Sequence, residues 1–328
     1  MQRRKANRKS TTYTHNFIRL CPTWIPTNSQ YFYQLIGKRE LGSCCFLFQN
    51  VNGLPITDSS SMRTALKFIK KSNVSYLGLQ ETKMNTDHPD CIPQIRKPFS
   101  TNISRCKVHA SSNNTFLTSS LHQHGGLLSA VTLPFSSSRS QSTSDPTSCV
   151  QSSVLSFNGV TISVFNIYIP HRRLGPQTNF TQAVNTIRLL KLGPPDLLPS
   201  TYVYNILHKL VMEAKEKNHL IIVGGDFNEE YICNPIQQTG KVTMTTAMLK
   251  LGLVIVTSSP GDVTPPTYSR GKKTLDHIWV SSSLRPLLSG YGYLPFNEGF
   301  ISDHRGAFIH LRLKFVNRPS PVIHDNAN

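Results

Sequence analysis

Acidic side chains are scarce in this 328-residue chain: 17 Asp and Glu stand against 35 Lys and Arg, a formal net charge of +18. Such a surface draws polyanions by counterion release, and nucleic acid is the first candidate. Residues 1–42 hold eight Lys and Arg and one acid, net +7, which leaves +11 in the remainder. The body therefore reads as basic in its own right. Long apolar runs are also missing. Leu220–Val223 and Leu253–Val256 are strand-sized, far short of the roughly 20 residues a membrane span needs, which argues against a membrane protein. The seven cysteines are odd in number, include the adjacent Cys44 and Cys45, and form no C-x-x-C pair. That pattern supports neither a disulfide framework nor a zinc cluster and suits a reducing compartment, nucleus or cytoplasm.

The length and 38% hydrophobic content permit one sizeable core or two small ones. The expected division is a single domain over 43–315, with tails at 1–42 and 316–328. The first segment has no acid before Glu40 and opens with Arg3, Arg4, Lys5, Arg8 and Lys9. It fits a disordered arm, a mitochondrial transit peptide or a nuclear-targeting patch, and composition does not separate them.

From Cys45 onward, strand-length apolar runs alternate with helical periodicity, an α/β pattern. Strands are expected at Phe46–Gln49, Ser75–Leu79, Leu220–Gly224, Thr274–Val280 and Arg305–Leu313. Helices are expected at Met62–Lys71, Phe180–Leu192 and Tyr202–Lys217, the last two parted by the breaker Gly193-Pro194-Pro195. Val150–Phe157 and Val160–Ile167 flank Asn158-Gly159, which supplies positive φ to a type I′ turn and predicts an antiparallel hairpin. The Ser-rich stretches Ser111–Ser120 and Ser136–Ser148 read as surface loops.

The strand-like runs end in small polar clusters. Phe46–Gln49 leads into Asn50-Val51-Asn52-Gly53, Leu77–Leu79 into Gln80-Glu81-Thr82, and Ile221–Val223 into Gly224-Gly225-Asp226-Phe227-Asn228. Leu275 precedes Asp276-His277, and Ile301 precedes Ser302-Asp303-His304. Hydrolysis of a phosphodiester needs a cation against the phosphoryl oxygens, a base for water and help for the leaving oxygen. Carboxylates such as Glu81 and Asp303 suit Mg²⁺ or Mn²⁺, and histidine beside a carboxylate can serve as a base near neutral pH. Each cluster alone is more often a turn, a strand end or a helix start; together, in this order, they are harder to dismiss.

In sequence order, QNVNGL, LGLQETK, GGLLSAV, FNIYIP, GGDFN, LDHIWVSS and SDH resemble the endonuclease/exonuclease/phosphatase superfamily. Its members include apurinic/apyrimidinic endonucleases, pancreatic DNase and the endonuclease domains of LINE-type non-LTR retrotransposons. FNIYIP, GDFN, LDHI and SDH are most similar to the retrotransposon branch, and Asn52 stands where repair enzymes usually carry Asp. The resemblance implies a four-layered α/β-sandwich, two packed mixed β-sheets flanked by helices, with a Mg²⁺- or Mn²⁺-dependent site at one end. It implies Glu81, Asn50 and Asp303 at the metal and Tyr168 at the scissile phosphate. Asp226 would act on the attacking water, Asn228 would support the phosphate, and Asp276 would orient His304, as base or phosphate-stabilising group. The implied function is a monomeric DNA endonuclease acting on double-stranded DNA, in repair or transposition. His171 is a departure, since both branches commonly have Asn there, and the connection over 172–218 is longer than usual.

Beside these, Arg172 and Arg173 are candidate backbone-positioning groups, or merely solvated. Thr267 and Tyr268, in a Pro-led loop, match the position where the family reaches the minor groove. Trp279 is a stacking wall for an extruded base or a buried strand aromatic. Gly125-Gly126 reads as a close backbone approach before a strand, and His122 and His124 as surface histidines. Two other readings compete with a DNA endonuclease: the same chemistry on RNA or a phospholipid head group, and a catalytically silent nucleic-acid-binding remnant of a mobile element. Against lipids, the segment around Asp276 is LDHIWVS and not the Trp-Cys-Asp-Arg type.

Overall fold

The computed structural model describes residues 18–19, 43–55, 59–113, 115, 119–137, 140–175, 178–232, 242–256, 264–296 and 298–313. The two segments read as tails thus lie outside it, apart from Ile18–Arg19 (β1), which pairs with Gly292 and Tyr291.

Alternation of side chains along the strands builds the layers. In β2 (Ser43–Asn50) all eight residues are buried, so neither face meets water. Cys44, Phe46 and Phe48 join one apolar cluster while Cys45 and Leu47 join another, as period-2 geometry requires. The first cluster lies between two sheets. The second packs β2 and β3 (Val74–Gln80) on helices α1 (Ser60–Lys71) and α2 (Cys91–Asn102) through Met62, Leu66, Ile69, Ile95 and Phe99.

The same logic runs through the other half. In β9 (Leu220–Asp226), Ile222 faces the inter-sheet core, whereas Ile221 and Val223 face helix α4 (Pro199–Glu216) through Val203, Leu207 and Val211. The result is four layers, helices on sheet on sheet on helices. The further strands are β4 (Lys107–Ser111), β5 (Leu127–Val131), β6 (Gln141–Ser144), β7 (Val150–Phe157), β8 (Val160–Tyr168), β10 (Leu253–Ile255), β11 (Asp276–Ser281), β12 (Leu288–Tyr293) and β13 (Ala307–Arg312). One sheet has the order β1-β12-β13-β2-β3-β5-β4 and the other β10-β11-β9-β8-β7-β6. Each sheet is mixed: β2–β3 and β8–β9 are parallel, and the other pairs are antiparallel.

Several expected elements form with shifted ends. Helix α1 starts two residues early because Ser59 caps it, its hydroxyl accepting from Met62 N at 3.2 Å. Helix α4 starts at Pro199, whose missing N–H costs nothing in a first turn. The hairpin β7–β8 closes through Asn158 and Gly159 at φ 50° and 79°, with Phe157 opposite Val160.

The Ser136–Ser148 loop is a correction, because it contains β6, an edge strand on β7. Its polar QSTS sequence gives no apolar alternation, since neither face is fully covered. Helix α2 was hidden by Pro93 and Pro98, and α3 (Asn179–Leu189) and the short α5 (Met244–Lys250) complete the helices.

Two glycine positions carry the close contacts near the site. Gly126, at φ +87°, lies where a Cβ would meet Thr82 Oγ1 at 2.7 Å and Ser111 O at 3.1 Å, the close approach expected of Gly125-Gly126. Gly225 has φ +144°, and a Cβ there would sit 2.0 Å from the carbonyl oxygen of Ile167 on β8. Gly225→Ala should therefore force β8 and β9 apart beneath Asp226 and destabilise the fold by about 3 kcal/mol or more. A urea-unfolding midpoint within error of wild type would refute that placement.

Candidate active site

Strand direction decides where the polar clusters go. Because β2 and β3 run parallel, as do β8 and β9, their carboxyl ends emerge at one end of the sandwich. β13 is antiparallel to β2 and β11 to β9, so their amino ends emerge there too. Asn50 lies opposite Gln80, next to Glu81, and Asp226 lies opposite both Tyr168 and Asp276. Residues spread over more than 250 positions thereby line one cleft of about 570 Å³, with Asn50, Glu81, Tyr168, Asp226, Asn228, Asp303 and His304 in its wall.

At its floor, Asp226, Asp276 and His304 are each under a tenth exposed, with ligand atoms within 4.8 Å of one another. His304 Nδ1 donates to Asp276 Oδ2 at 3.0 Å and lies 4.0 Å from Asp226 Oδ2. A carboxylate only accepts, so Nδ1 carries the proton and Nε2 is the other titrating position. Burial works against the imidazolium, but the charges of Asp276 and Asp226 outweigh it and raise the His304 pKa. Burial, then repulsion from Asp276, raises Asp226, while His304, Asn50 and Asn228 hold it down.

Neutral donors pin this charge. Asn50 Nδ2 donates to Asp226 Oδ2 at 2.8 Å and to Glu81 Oε1 at 3.2 Å, while its Oδ1 accepts from Asn52 N at 2.9 Å. Asn50 thus bridges two carboxylates and turns its oxygen away from them, unlike the expected metal ligand. Asn228 gives its backbone N–H to Asp226 Oδ1 at 2.9 Å and its amide to Ile169 O at 2.8 Å and Asp226 Oδ2 at 3.3 Å. Its amide hydrogens are spent on the protein, so in this arrangement it supports Asp226 rather than a phosphate. Tyr168 OH accepts from Asn179 Nδ2 at 2.9 Å; burial, then the charges of Glu81 and Asp226, hold its pKa well above the usual value. Asn52, Glu81, Lys83 and Asn228 all line the cleft with left-handed backbone, φ 46° to 56°, a strain that gathers at functional sites.

The donor set fits a hard divalent cation. Glu81, Asp226 and Asp303 line the cleft and Asp276 lies against Asp226 and His304, all oxygen donors. Asp276 Oδ1 is buried without a hydrogen-bond partner among the described residues, an acceptor that a cation could compensate. Glu81 and Asp303 would hold the ion. Asp303 is at present engaged on both oxygens, by Asn52 Nδ2 at 3.1 Å and Arg270 Nη2 at 2.7 Å.

Two expected nucleic-acid contacts are corrected. Trp279 is fully buried: it alternates with Ile278 and Val280 along β11, faces the helical layer with Val223 and packs on Tyr231 at 5.9 Å. It cannot stack on a base. Thr267 is also fully buried, and its hydroxyl accepts from Leu275 N at 2.8 Å and Asp276 N at 3.2 Å, so it fixes the start of β11. Its neighbour Tyr268 does line the cleft, with its ring 5.0 Å from that of His304. Arg173 and His171 are exposed at the cleft, and Arg172 lines an adjoining cavity of about 610 Å³.

Sequence reading missed several contributors. Gln49, fully buried, clasps the loop that carries Asp303 and His304: its amide donates to Phe300 O at 2.9 Å and His304 O at 3.3 Å, and its Oε1 accepts from Phe300 N at 3.1 Å. Asn179, Lys83, Arg270 and His124 line the cleft. Lys83 stood within a quoted motif, LGLQETK, as Gln49 did within QNVNGL, but neither was given a role. His124, read as a surface residue, is half-buried beside Glu81 and Lys83.

A four-layered sandwich with a carboxylate–histidine cluster at one end defines a hydrolase of the nuclease and phosphatase type. The chain belongs to the Endonuclease/Exonuclease/phosphatase family, whose model matches residues 47–304. No curated protein matches it by sequence. Among solved structures it is similar to the AP endonuclease LMAP from Leishmania major, at TM-score 0.61 and 16% identity over 90% of this chain and 93% of that one. It is also similar to the 3′ phosphatase NExo from Neisseria bound to product DNA hairpin, at TM-score 0.52 and 14% identity over 82% and 99%. The endonuclease domain of TRAS1, a telomere-specific non-LTR retrotransposon, matches at TM-score 0.45 and 13% identity over 83% and 99%, too distant to bear weight. At these identities the likeness establishes the fold.

His277, adjacent to Asp276, points to the opposite face and gives Nε2–H to Glu229 O at 3.0 Å. Burial pushes its pKa down to about 4 against the pull of that carbonyl and of Asp276, whereas in the unfolded chain it titrates near ~6.5. The unfolded state therefore takes up the proton first as pH falls. The His277 contribution to stability is intact above about pH 7 and declines toward about pH 4, by at most about 1.4 kcal/mol per pH unit. His277→Gln, which keeps a donor and does not titrate, should lack this slope; matching wild-type and variant curves from pH 7 to 4 would exclude it.

Proposed function

We propose that this chain is a divalent-metal-dependent phosphodiesterase that nicks a nucleic-acid backbone by water attack, with double-stranded DNA as its substrate. The observation that carries the reading is the buried Asp226–Asp276–His304 cluster set beside Glu81 in one open cleft of a strongly basic protein. Mg²⁺ or Mn²⁺, held at Glu81 and Asp303, would supply positive charge against the phosphoryl oxygens.

The electrostatics support a division of labour between Asp226 and His304. Asp226, with its raised pKa, is a carboxylate basic enough to take the proton of the attacking water. His304, held as imidazolium by Asp276 and Asp226, is poorly suited as a base and well suited to place positive charge beside the phosphate. Asp276 fixes its ring. Asn179 donates to the Tyr168 oxygen, which leaves the phenolic proton to be given elsewhere, toward Glu81 or a phosphate oxygen.

Nucleic acid is favoured as substrate by the basic body and by relatives whose names describe an AP endonuclease and a phosphatase bound to a DNA hairpin. The polymer partner, a monomeric state and a nuclear or cytoplasmic setting form part of the same proposal. Among the described residues, no helix is long and apolar enough to cross a membrane.

Incubated with supercoiled plasmid and Mg²⁺, the protein should yield nicked circles, and EDTA should stop the reaction. Glu81→Ala and His304→Ala should each lower the rate by about 100-fold or more. Plasmid binding without turnover, indifferent to both substitutions, would replace the enzyme with a silent binding module. Phosphate release from lipid head groups with no nicking would move the chemistry to another substrate.

A further inference from the structure

The rim of the cleft carries cations, and one of them occupies an acid that the metal reading needs. Arg270 Nη2 lies 2.7 Å from Asp303 Oδ2, and Asn52 Nδ2 takes Asp303 Oδ1 at 3.1 Å. Asn52 in turn accepts from Lys83 Nζ. Each Asp303 oxygen is therefore engaged by one of the protein's own donors, and Lys83 reaches the same cluster through Asn52.

The pair is lopsided. The Asp303 side chain is 14% exposed and that of Arg270 is 69% exposed. Freeing the guanidinium moves it into water at little desolvation cost, whereas the sheltered carboxylate requires another cation in its place. The backbone under Arg270 does not need to move for this. Ser269 N donates to Asp303 O at 2.8 Å and Gly271 N to Tyr268 O at 3.1 Å, so the turn stays at the cleft. There the guanidinium lies 5.7 Å from the Tyr268 ring centroid, a face it can slide over.

We propose that Arg270 and a divalent cation compete for Asp303, and that the guanidinium so released becomes an anchor for a phosphate of the bound strand. This rests on the reading of the cleft as a metal-dependent phosphodiesterase site. Metal and substrate binding are then coupled: the ion that takes the acid also frees the arginine, whose planar fork suits phosphate oxygens. A protein without substrate holds its ion weakly, and one with metal and strand holds both better than either alone.

The test is a double-mutant cycle read by Mn²⁺ binding, with free Mn²⁺ followed by electron paramagnetic resonance on the full chain. Arg270→Ala should tighten Mn²⁺ by about two- to five-fold, and in an Asp303→Asn background the same change should have no effect. No tightening overturns the proposal; so does equal tightening in both backgrounds, which would mark a general charge effect.

The second half is read by fluorescence anisotropy of a labelled duplex, in EDTA and in Ca²⁺. Arg270→Ala should weaken duplex binding at least two-fold more in Ca²⁺ than in EDTA, and Arg270→Lys should recover part of the loss. An equal loss in both conditions overturns it. Mn²⁺ binding that is absent, or unchanged in Glu81→Ala, places the fault in the reading of the cleft itself. Binding that depends on Glu81 but ignores Arg270 removes the present inference alone.

Discussion

Like charges forced together at the buried floor of an open cleft are what the rest of this molecule is arranged around. Asp226 and Asp276 are both buried, and His304 lies against them. Left alone, such a pair protonates or draws in water. Here the neighbours are spent on holding it: Asn50 and Asn228 on Asp226, the Thr267 hydroxyl on the amides that lead into Asp276, and the Tyr293 hydroxyl on the Asp276 carbonyl. These contacts are mostly neutral amides and hydroxyls, which restrain carboxylates without discharging them. They leave room for a cation, and the proposed chemistry draws on that.

The two-sheet architecture makes the crowding possible. Phe48 lies between the sheets over Gly78 and Gly224, where a side chain of any size would strike its ring. The sheets thus approach closely just below the cleft, and residues at the ends of β2, β9 and β11 reach one another. Farther from the cleft, bulky pairs such as Phe46 with Tyr76 and Phe135 fill the same interface. Packing and catalysis-like geometry are graded along a single strand, with apolar bulk at one end of β2 and an amide at the other.

Much of this was legible in the sequence, for physical reasons that also mark where legibility stopped. Strands buried on both faces read as apolar runs, and the loops after them carry polar groups that have no packing reason to be there. Glu81, Asp226 and His304 stood out on that ground, as did the Asn158-Gly159 turn. Edge strands such as β6, whose side chains touch water on both sides, look like loops, and Pro98 disguises a helix whose missing hydrogen bond is tolerated. Trp279 shows a different limit. A large aromatic beside a carboxylate suits either a wall or a core, and only the pleat, which turns every second residue to the far face, decides for the core. The roles of Gln49, Asn179 and Arg270 were invisible because they are long-range: each matters through a partner that sequence distance does not reveal.

The clasp of Gln49 on the segment around Phe300 and His304 joins positions 251 and 255 residues apart. It follows that the cleft has no precursor built from neighbouring residues. Until the segment leading into β13 has been synthesised and has docked, β2 ends in an unmatched amide and Asp276 has no imidazole beside it. Loop closure over so great a separation comes late in assembly. A chain still emerging from the ribosome would hold most of the hydrophobic scaffold but lack Asp303 and His304, so the carboxylate–histidine cluster is assembled only at a late stage.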